Sequence, residues 1–279
     1  MKLIFAKTRY SYDSYQDLWK LVELSGLDTC WVDHIDWEQE ALYVTTPING
    51  ETRPVIERER KSGKKKRCLV AWWNLERPDS GPGGLNDLLG SMVCNDTNGM
   101  LEWVDRIWTS DKHQHDLDPR AVHVVMGSDS RMAWGNRNPG EYDFCHMSYP
   151  STRRYLLYQI LNKLRIGPNS FEPGRGEIIN KSRLMLNVHQ TEAIIGEPLR
   201  FAVASAYGVP LLTETLGNPW PMEPGKHCLM APYSSLPNTL EQALCGELEH
   251  LGQNLKMLYC EQFPFRECVL KGLQDSLNR

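Results

Sequence analysis

Two consecutive arginines, Arg153 and Arg154, follow the turn at Ser148 to Thr152, where the strand-like run beginning at Tyr142 gives way to a leucine-rich helix. Hydroxyls and free backbone amides at a helix start, with two guanidinium groups beside them, are the ingredients of an anion site. A second polar group, His189, Gln190 and Thr191, ends the apolar run LMLNV (184 to 188). Glu197 and Arg200 open the helix that follows, and Thr213, Glu214 and Thr215 end the next strand, VPLLTE. A carboxylate at Glu197 can accept hydroxyl hydrogen bonds from a ligand, or simply suit the positive end of the helix. In the amino-terminal half, the strand-like run TCWVDHI (29 to 35) ends in Asp33 and His34 with Asp36 just after it, and Glu76 follows CLVAWWN. Carboxylates and imidazoles at strand ends are the groups able to take a proton from a hydroxyl, and Asp33, His34 and Glu76 qualify equally by type and position.

A different chemistry is suggested between Glu51 and Arg67, where ETRPVIERERKSGKKKR holds eight basic and three acidic residues. The ordinary expectation for such a run is a solvated loop or hairpin. The alternative is that Lys61, Lys64, Lys65, Lys66 and Arg67 grip the phosphates of a nucleic acid or another anionic polymer. The run leads directly into the strand carrying Trp72 and Trp73, whose indoles can either cap the core or offer a flat face to a sugar or an exposed base. His113 and His115 are spaced two apart and do not share a helix face, so they make a poor metal pair, and no metal site is expected.

The elements that must position these residues follow an α/β rhythm. KLIFA (2 to 6) reads as a first strand and 11–26 as a helix ending at Gly26; the loop between, KTRYSYDS, lacks the glycines of a phosphate cradle. Strands are expected at 29–35, 68–74, 91–96, 107–110 and 121–126, while 165–181 reads as loop and short helix. The segment WGNRNPGE (134 to 141) has linker composition and places a domain boundary at 138/139. The stretch 182–216 reads without a gap as strand, polar loop, helix and strand, with Pro198 starting the helix and Gly208 ending it. Ligands of open α/β sheets sit beyond the carboxyl ends of the strands, so both polar clusters of this stretch should face one crevice.

The 279 residues suffice for two domains, and 41% hydrophobic with 24% charged residues is ordinary for a globular protein. A net charge of −4 excludes a chain-wide electrostatic nucleic-acid binder. No run is apolar enough for a signal peptide or a membrane span, and eight scattered cysteines without a C-x-x-C pair fit reduced thiols, so a cytoplasmic setting is expected. A nicotinamide-linked oxidoreductase is disfavoured because the first strand is not followed by G-x-G-x-x-G.

The succession SRLMLNVHQ, EPLRFAVASAYGVPLLTE and MEPGKHCLMAPYSSLPNTL resembles the carboxyl-terminal domain of GT-B glycosyltransferases, in particular the spore-maturation-protein-like branch. The resemblance covers about half the chain well. It implies two Rossmann-like α/β domains facing a cleft: an acceptor-side domain at 1–138, a nucleotide-sugar-binding domain at 139–262, and a terminal helix, 263–279, crossing back to the first domain. It further implies a donor site formed by Arg153, Arg154, His189, Glu197, Arg200, Thr213 and Glu214, with the two arginines on the donor's diphosphate. One position departs from the family: Val203 stands where a ribose-binding glutamate is usual. The implied activity is metal-independent sugar transfer from a nucleotide-sugar to an acceptor hydroxyl, with no cofactor. DNA carrying a modified base is the acceptor that Lys64, Lys65, Lys66, Arg67, Trp72 and Trp73 would suit. The competing expectation is a catalytically inactive nucleotide-binding or scaffold protein.

Overall fold

The computed structural model describes residues 1–45, 51–63, 66–75, 103–110, 112, 118–148, 151–169, 174–189 and 196–279. Glu76, Lys64, Lys65, His113, His115, Gln190, Thr191 and the strand expected at 91–96 lie outside them. The described chain separates into two compact units, Met1–Met126 with Phe265–Arg279, and Gly127–Pro264.

The first unit is built on a six-stranded sheet: β1 (Lys2–Lys7), β2 (Asp28–Trp31), β3 (Ala41–Thr45), β4 (Leu69–Asn74), β5 (Arg106–Thr109) and β6 (Ala121–His123). Its order is β2-β1-β3-β4-β5-β6, and every pairing is parallel. Parallel sheets are covered on both faces, and all five residues of β3 are buried accordingly. That strand, ALYVT, was not anticipated. The helix expected over 11–26 is two, α1 (Arg9–Ser14) and α2 (Gln16–Leu24). The Ser11 carbonyl accepts from the Tyr15 amide and from the Trp19 indole at 2.7 Å, and Tyr15 leaves helical geometry with its ring in the core.

The basic run is also corrected: Thr52–Lys61 forms a helix, α3, rather than a solvated loop. Glu57 pairs with Arg53 one turn before it and Lys61 one turn after it, while Ile56 is fully buried. The terminal helix Phe265–Leu277 belongs to this first unit. Phe265 stacks on Trp73 with centroids 6.1 Å apart, and Phe5, Trp73 and Trp108 complete an aromatic cluster. The Trp108 indole donates to Ser276 at 2.9 Å, and a Cβ at Gly272 would meet Val124 at 2.8 Å.

The second unit repeats the same strand logic with β7 (Tyr142–His146), β8 (Ile166–Asn169), β9 (Ser182–Asn187), β10 (Leu211–Glu214) and β11 (Leu229–Ala231), in the parallel order β11-β10-β9-β7-β8. β8 falls where only loop and short helix were expected. Helices are α4 (Thr152–Ile160), α5 (Arg175–Lys181), α6 (Pro198–Tyr207), α7 (Leu236–Leu244) and α8 (Glu249–Lys256). The anticipated linker, 134–141, lies inside this unit: the Asn138 and Gly140 amides donate to the carbonyls of Asn180 and Lys181, and Arg137 reaches the Ile179 and Ser182 carbonyls. Gly and Pro composition here reflects a tight run along α5. Gly208 ends α6 at φ +62°, and Gly252 of α8 lies so close that a Cβ there would stand 2.1 Å from the Gly208 carbonyl oxygen.

Candidate functional site

In each sheet the strand order reverses beside the first strand of its unit, between β1 and β3 and again between β7 and β9. At such a switch point the connections diverge to opposite faces and leave a crevice at the carboxyl ends. In the second unit the residues there form one connected set. β9 and β10 pair with Asn187 opposite Thr213, so Glu214 comes beside His189, whose amide donates to the Glu214 carboxylate at 2.8 Å. Arg153 forks onto the same carboxylate at 2.5 and 2.6 Å and donates to the His189 carbonyl at 3.1 Å. Its guanidinium lies 3.8 Å from the centre of the Tyr233 ring, and the Tyr233 hydroxyl donates to the Arg153 carbonyl.

Arg154, only 1% exposed, donates from Nε to the Val188 carbonyl at 2.8 Å and lies 3.5 Å from Glu197. Arg200 binds Glu197 at 3.0 Å and Asn187 at 2.7 Å, and Asn187 donates to Thr213 at 2.9 Å. The His189 ring is fully buried with Nδ1 3.3 Å from Glu197 Oε2, yet neither ring nitrogen makes a hydrogen bond among the described residues. A buried polar atom left in that state is destabilising until a ligand, water or proton satisfies it. All seven residues expected at the donor site are therefore brought together. Val203, where the resembling family has its glutamate, is fully buried in α6.

His146, at the end of β7, was missed. Its Nδ1 is 2.8 Å from the Ser148 hydroxyl, which is 3.1 Å from the Tyr158 hydroxyl, and its ring lies 4.8 Å from that of Tyr158. Burial, with the positive charges of Arg154 and Arg200, pulls its pKa down from 6.5 to about 4. The imidazole is neutral at neutral pH. A histidine ending a strand was the signal that singled out His189, and it applies equally to YDFCH.

In the first unit Asp33 and His34 sit on a 3₁₀ turn after β2, their side chains 66% and 69% exposed and 4.0 Å apart. They line a cavity of about 380 Å³ with Lys7, Arg9, Trp31 and Glu51. Among the expected acceptor residues that are described, the structure does not bring Trp72 and Trp73 to a surface. Trp72 and Trp73 are 2% and 0% exposed, because consecutive residues of a parallel strand point to opposite covered faces. Their rings are core, and stacking on a ligand is not available to them. Lys66 is held by Glu59 and Ser62 over the Trp37 ring, and Lys61 by Glu57 over Trp103. Arg67 is exposed, 3.5 Å from Glu40.

No protein-family model and no curated protein matches the sequence. Solved structures do. HepE from Anabaena, determined in complex with UDP and glucose, superposes with a TM-score of 0.58 at 9% identity over 98% of this chain and 99% of its own. An α1,3-fucosyltransferase gives 0.55 at 8% identity over 100% of this chain and 90% of its own. TarM gives 0.59 at 10% identity over 93% of this chain, which spans 57% of TarM's length. The fold is GT-B. At these identities the likeness is one of fold, shared here with a protein named as a fucosyltransferase and with one that holds UDP and glucose. No helix among the described residues is long and apolar enough to cross a membrane.

Proposed function

We propose that this protein is a glycosyltransferase that takes its sugar from a nucleotide-sugar and works without a metal ion. The reading is carried by the cluster at the carboxyl ends of β9 and β10, where three guanidinium groups (Arg153, Arg154, Arg200) face two carboxylates (Glu197, Glu214) at the amino end of α6. Three guanidinium groups against two carboxylates leave an excess positive charge, and the helix end adds to it. That is the field a departing nucleoside diphosphate needs. In the transfer, the bond from the anomeric carbon to the phosphate oxygen breaks with its electron pair leaving on the diphosphate. The acceptor oxygen forms the new bond, and its proton passes to a base. Arg153 and Arg200 are the more exposed cations and the ones placed to touch phosphate, while buried Arg154 positions Glu197 and the Val188 carbonyl. Asp33, His34 and Glu76 remain the candidates for the base.

Isothermal titration with uridine, guanosine and thymidine sugar nucleotides tests this reading. Binding of one of them, weakened at least roughly tenfold by Arg200→Ala, is expected from the loss of a charge-assisted contact; failure of every donor to bind would overturn it. A second reading, a nucleotide-binding protein without transferase activity, is favoured by one observation, Val203 at the family's glutamate position. Turnover of a bound donor that disappears in Arg153→Ala excludes that reading. DNA with a modified base, as acceptor, draws on the basic run, and the engagement of Lys61 and Lys66 within the unit argues for a less charged acceptor. Salt-sensitive DNA binding that Arg67→Ala reduces would restore it.

A further inference from the structure

The first unit presents an unused aromatic feature. Trp31 and Tyr12 are 38% and 49% exposed, with ring centres 5.9 Å apart and planes at 58°. The Lys7 ammonium lies 5.6 Å from the Trp31 ring and 5.4 Å from the Tyr12 ring, fixing both from one side by cation–π attraction. Single exposed aromatics need no explanation. Trp31, however, lines the cavity of about 380 Å³ at the carboxyl ends of β1 and β2, the edge of an open α/β sheet that serves ligands, while Tyr12 lines a second cavity of about 580 Å³ that shares Lys7 with it. The first volume is within the roughly 300–1,000 Å³ of small-molecule sites.

The charges around the cavity choose among ligands. Lys7 and Arg9 are balanced by Asp33 and Glu51, and Glu51 is itself fixed by the amides of Arg9 and Tyr10. A polyanion gains little from such a lining. A ring that offers apolar C–H groups to an indole, and hydroxyls that both donate and accept at its rim, matches it. We propose that this cavity is a carbohydrate subsite, in which a neutral pyranose unit stacks on Trp31 beside Tyr12 and hydrogen-bonds through its hydroxyls to Asp33 and His34. Its role as the acceptor subsite rests on the transferase reading above; the binding itself does not.

Saturation-transfer NMR on the full chain, with no nucleotide present, tests it using maltose, lactose and chitobiose beside oligothymidylate. At least one disaccharide should receive saturation, strongest on its ring C–H protons. Trp31→Ala should weaken that binding roughly tenfold or more, whereas Trp31→Phe, which keeps an aromatic face, should retain most of it. Disaccharide binding in a protein that binds no sugar nucleotide would support the subsite while removing the transferase reading. Absence of binding by all three sugars, or sugar binding indifferent to Trp31→Ala, would overturn the subsite. So would Trp31-dependent binding of oligothymidylate alone, which would make the platform a nucleic-acid contact.

Discussion

At the carboxyl ends of β9 and β10 the ionic side chains hold one another, whereas at the carboxyl end of β2 Asp33 and His34 stand in solvent beside an open cavity. The two sheets share a strand order, so topology does not separate them. Burial does. In the second unit Arg153, Arg200, Glu197 and Glu214 are each less than a fifth exposed and fixed by at least two partners, which suits a ligand of constant shape and high charge. Exposed side chains on a short turn suit a ligand whose shape varies. Preorganisation in the second unit and adaptability in the first fit the proposed transfer of a constant group to a variable one.

Breaking the Arg153–Glu214 fork is the sharpest test of this contrast. Glu214→Gln removes the charge from a nearly buried pair and leaves Arg153 uncompensated, so a loss of about 3–5 kcal/mol is expected in the urea unfolding of the second unit, followed by far-ultraviolet circular dichroism. A loss under about 1 kcal/mol would mean the cluster is wetter than its geometry shows.

The next effect is a pH dependence. The folded-state pKa of His146, about 4, lies below its unfolded value of 6.5, so the unfolded chain takes up the proton first as pH falls. The stability due to the neutral buried ring is complete above pH 6.5 and is lost between 6.5 and 4, by about 3 kcal/mol. His146→Asn should flatten that part of the profile. His227, also pulled down by burial, contributes in the same direction and would remain in the variant. A profile unchanged by His146→Asn would contradict the assignment.

Gly252→Ala should cost about 1–3 kcal/mol, since the methyl group would meet the backbone of Gly208 and Pro210 rather than a side chain able to turn aside. Its measurable sign is faster amide exchange in α6 and α8. Smallest is Asp33→Asn, expected within about 0.5 kcal/mol of the parent because the side chain is exposed. A large destabilisation there would make the open turn as rigid as the arginine cluster and erase the contrast.

The stretch 182–216 was legible because local signals agreed: an apolar run, a proline one residue into the helix, a glycine at its left-handed end, and polar residues at both strand ends. The charged residues that cluster there were visible by type and position. Their mutual pairing was not, since it depends on the register of β9 against β10. The basic run misled because Glu57 and Glu59 were counted as minority charges, not as helical partners one turn from Arg53 and Lys61 and beside Lys66. For Trp72 and Trp73 the sequence left core and ligand-facing roles both open, because only the pairing of β4 between β3 and β5 shows the strand to be interior and covered. β3 was overlooked, although five consecutive apolar or small residues are what a doubly covered strand requires.

The aromatic cluster of Phe5, Trp73, Trp108 and Phe265 has an optical consequence. Of the nine tryptophans, only Trp134 and Trp220 belong to the second unit, and both are exposed. Indole emission therefore comes chiefly from the first unit, and its red shift on denaturation should follow that unit while the other, whose indoles are already wet, melts almost unseen. Emission and ellipticity recorded on one sample would then resolve the two unfolding events without any label, and a lag between them would give each unit its own midpoint.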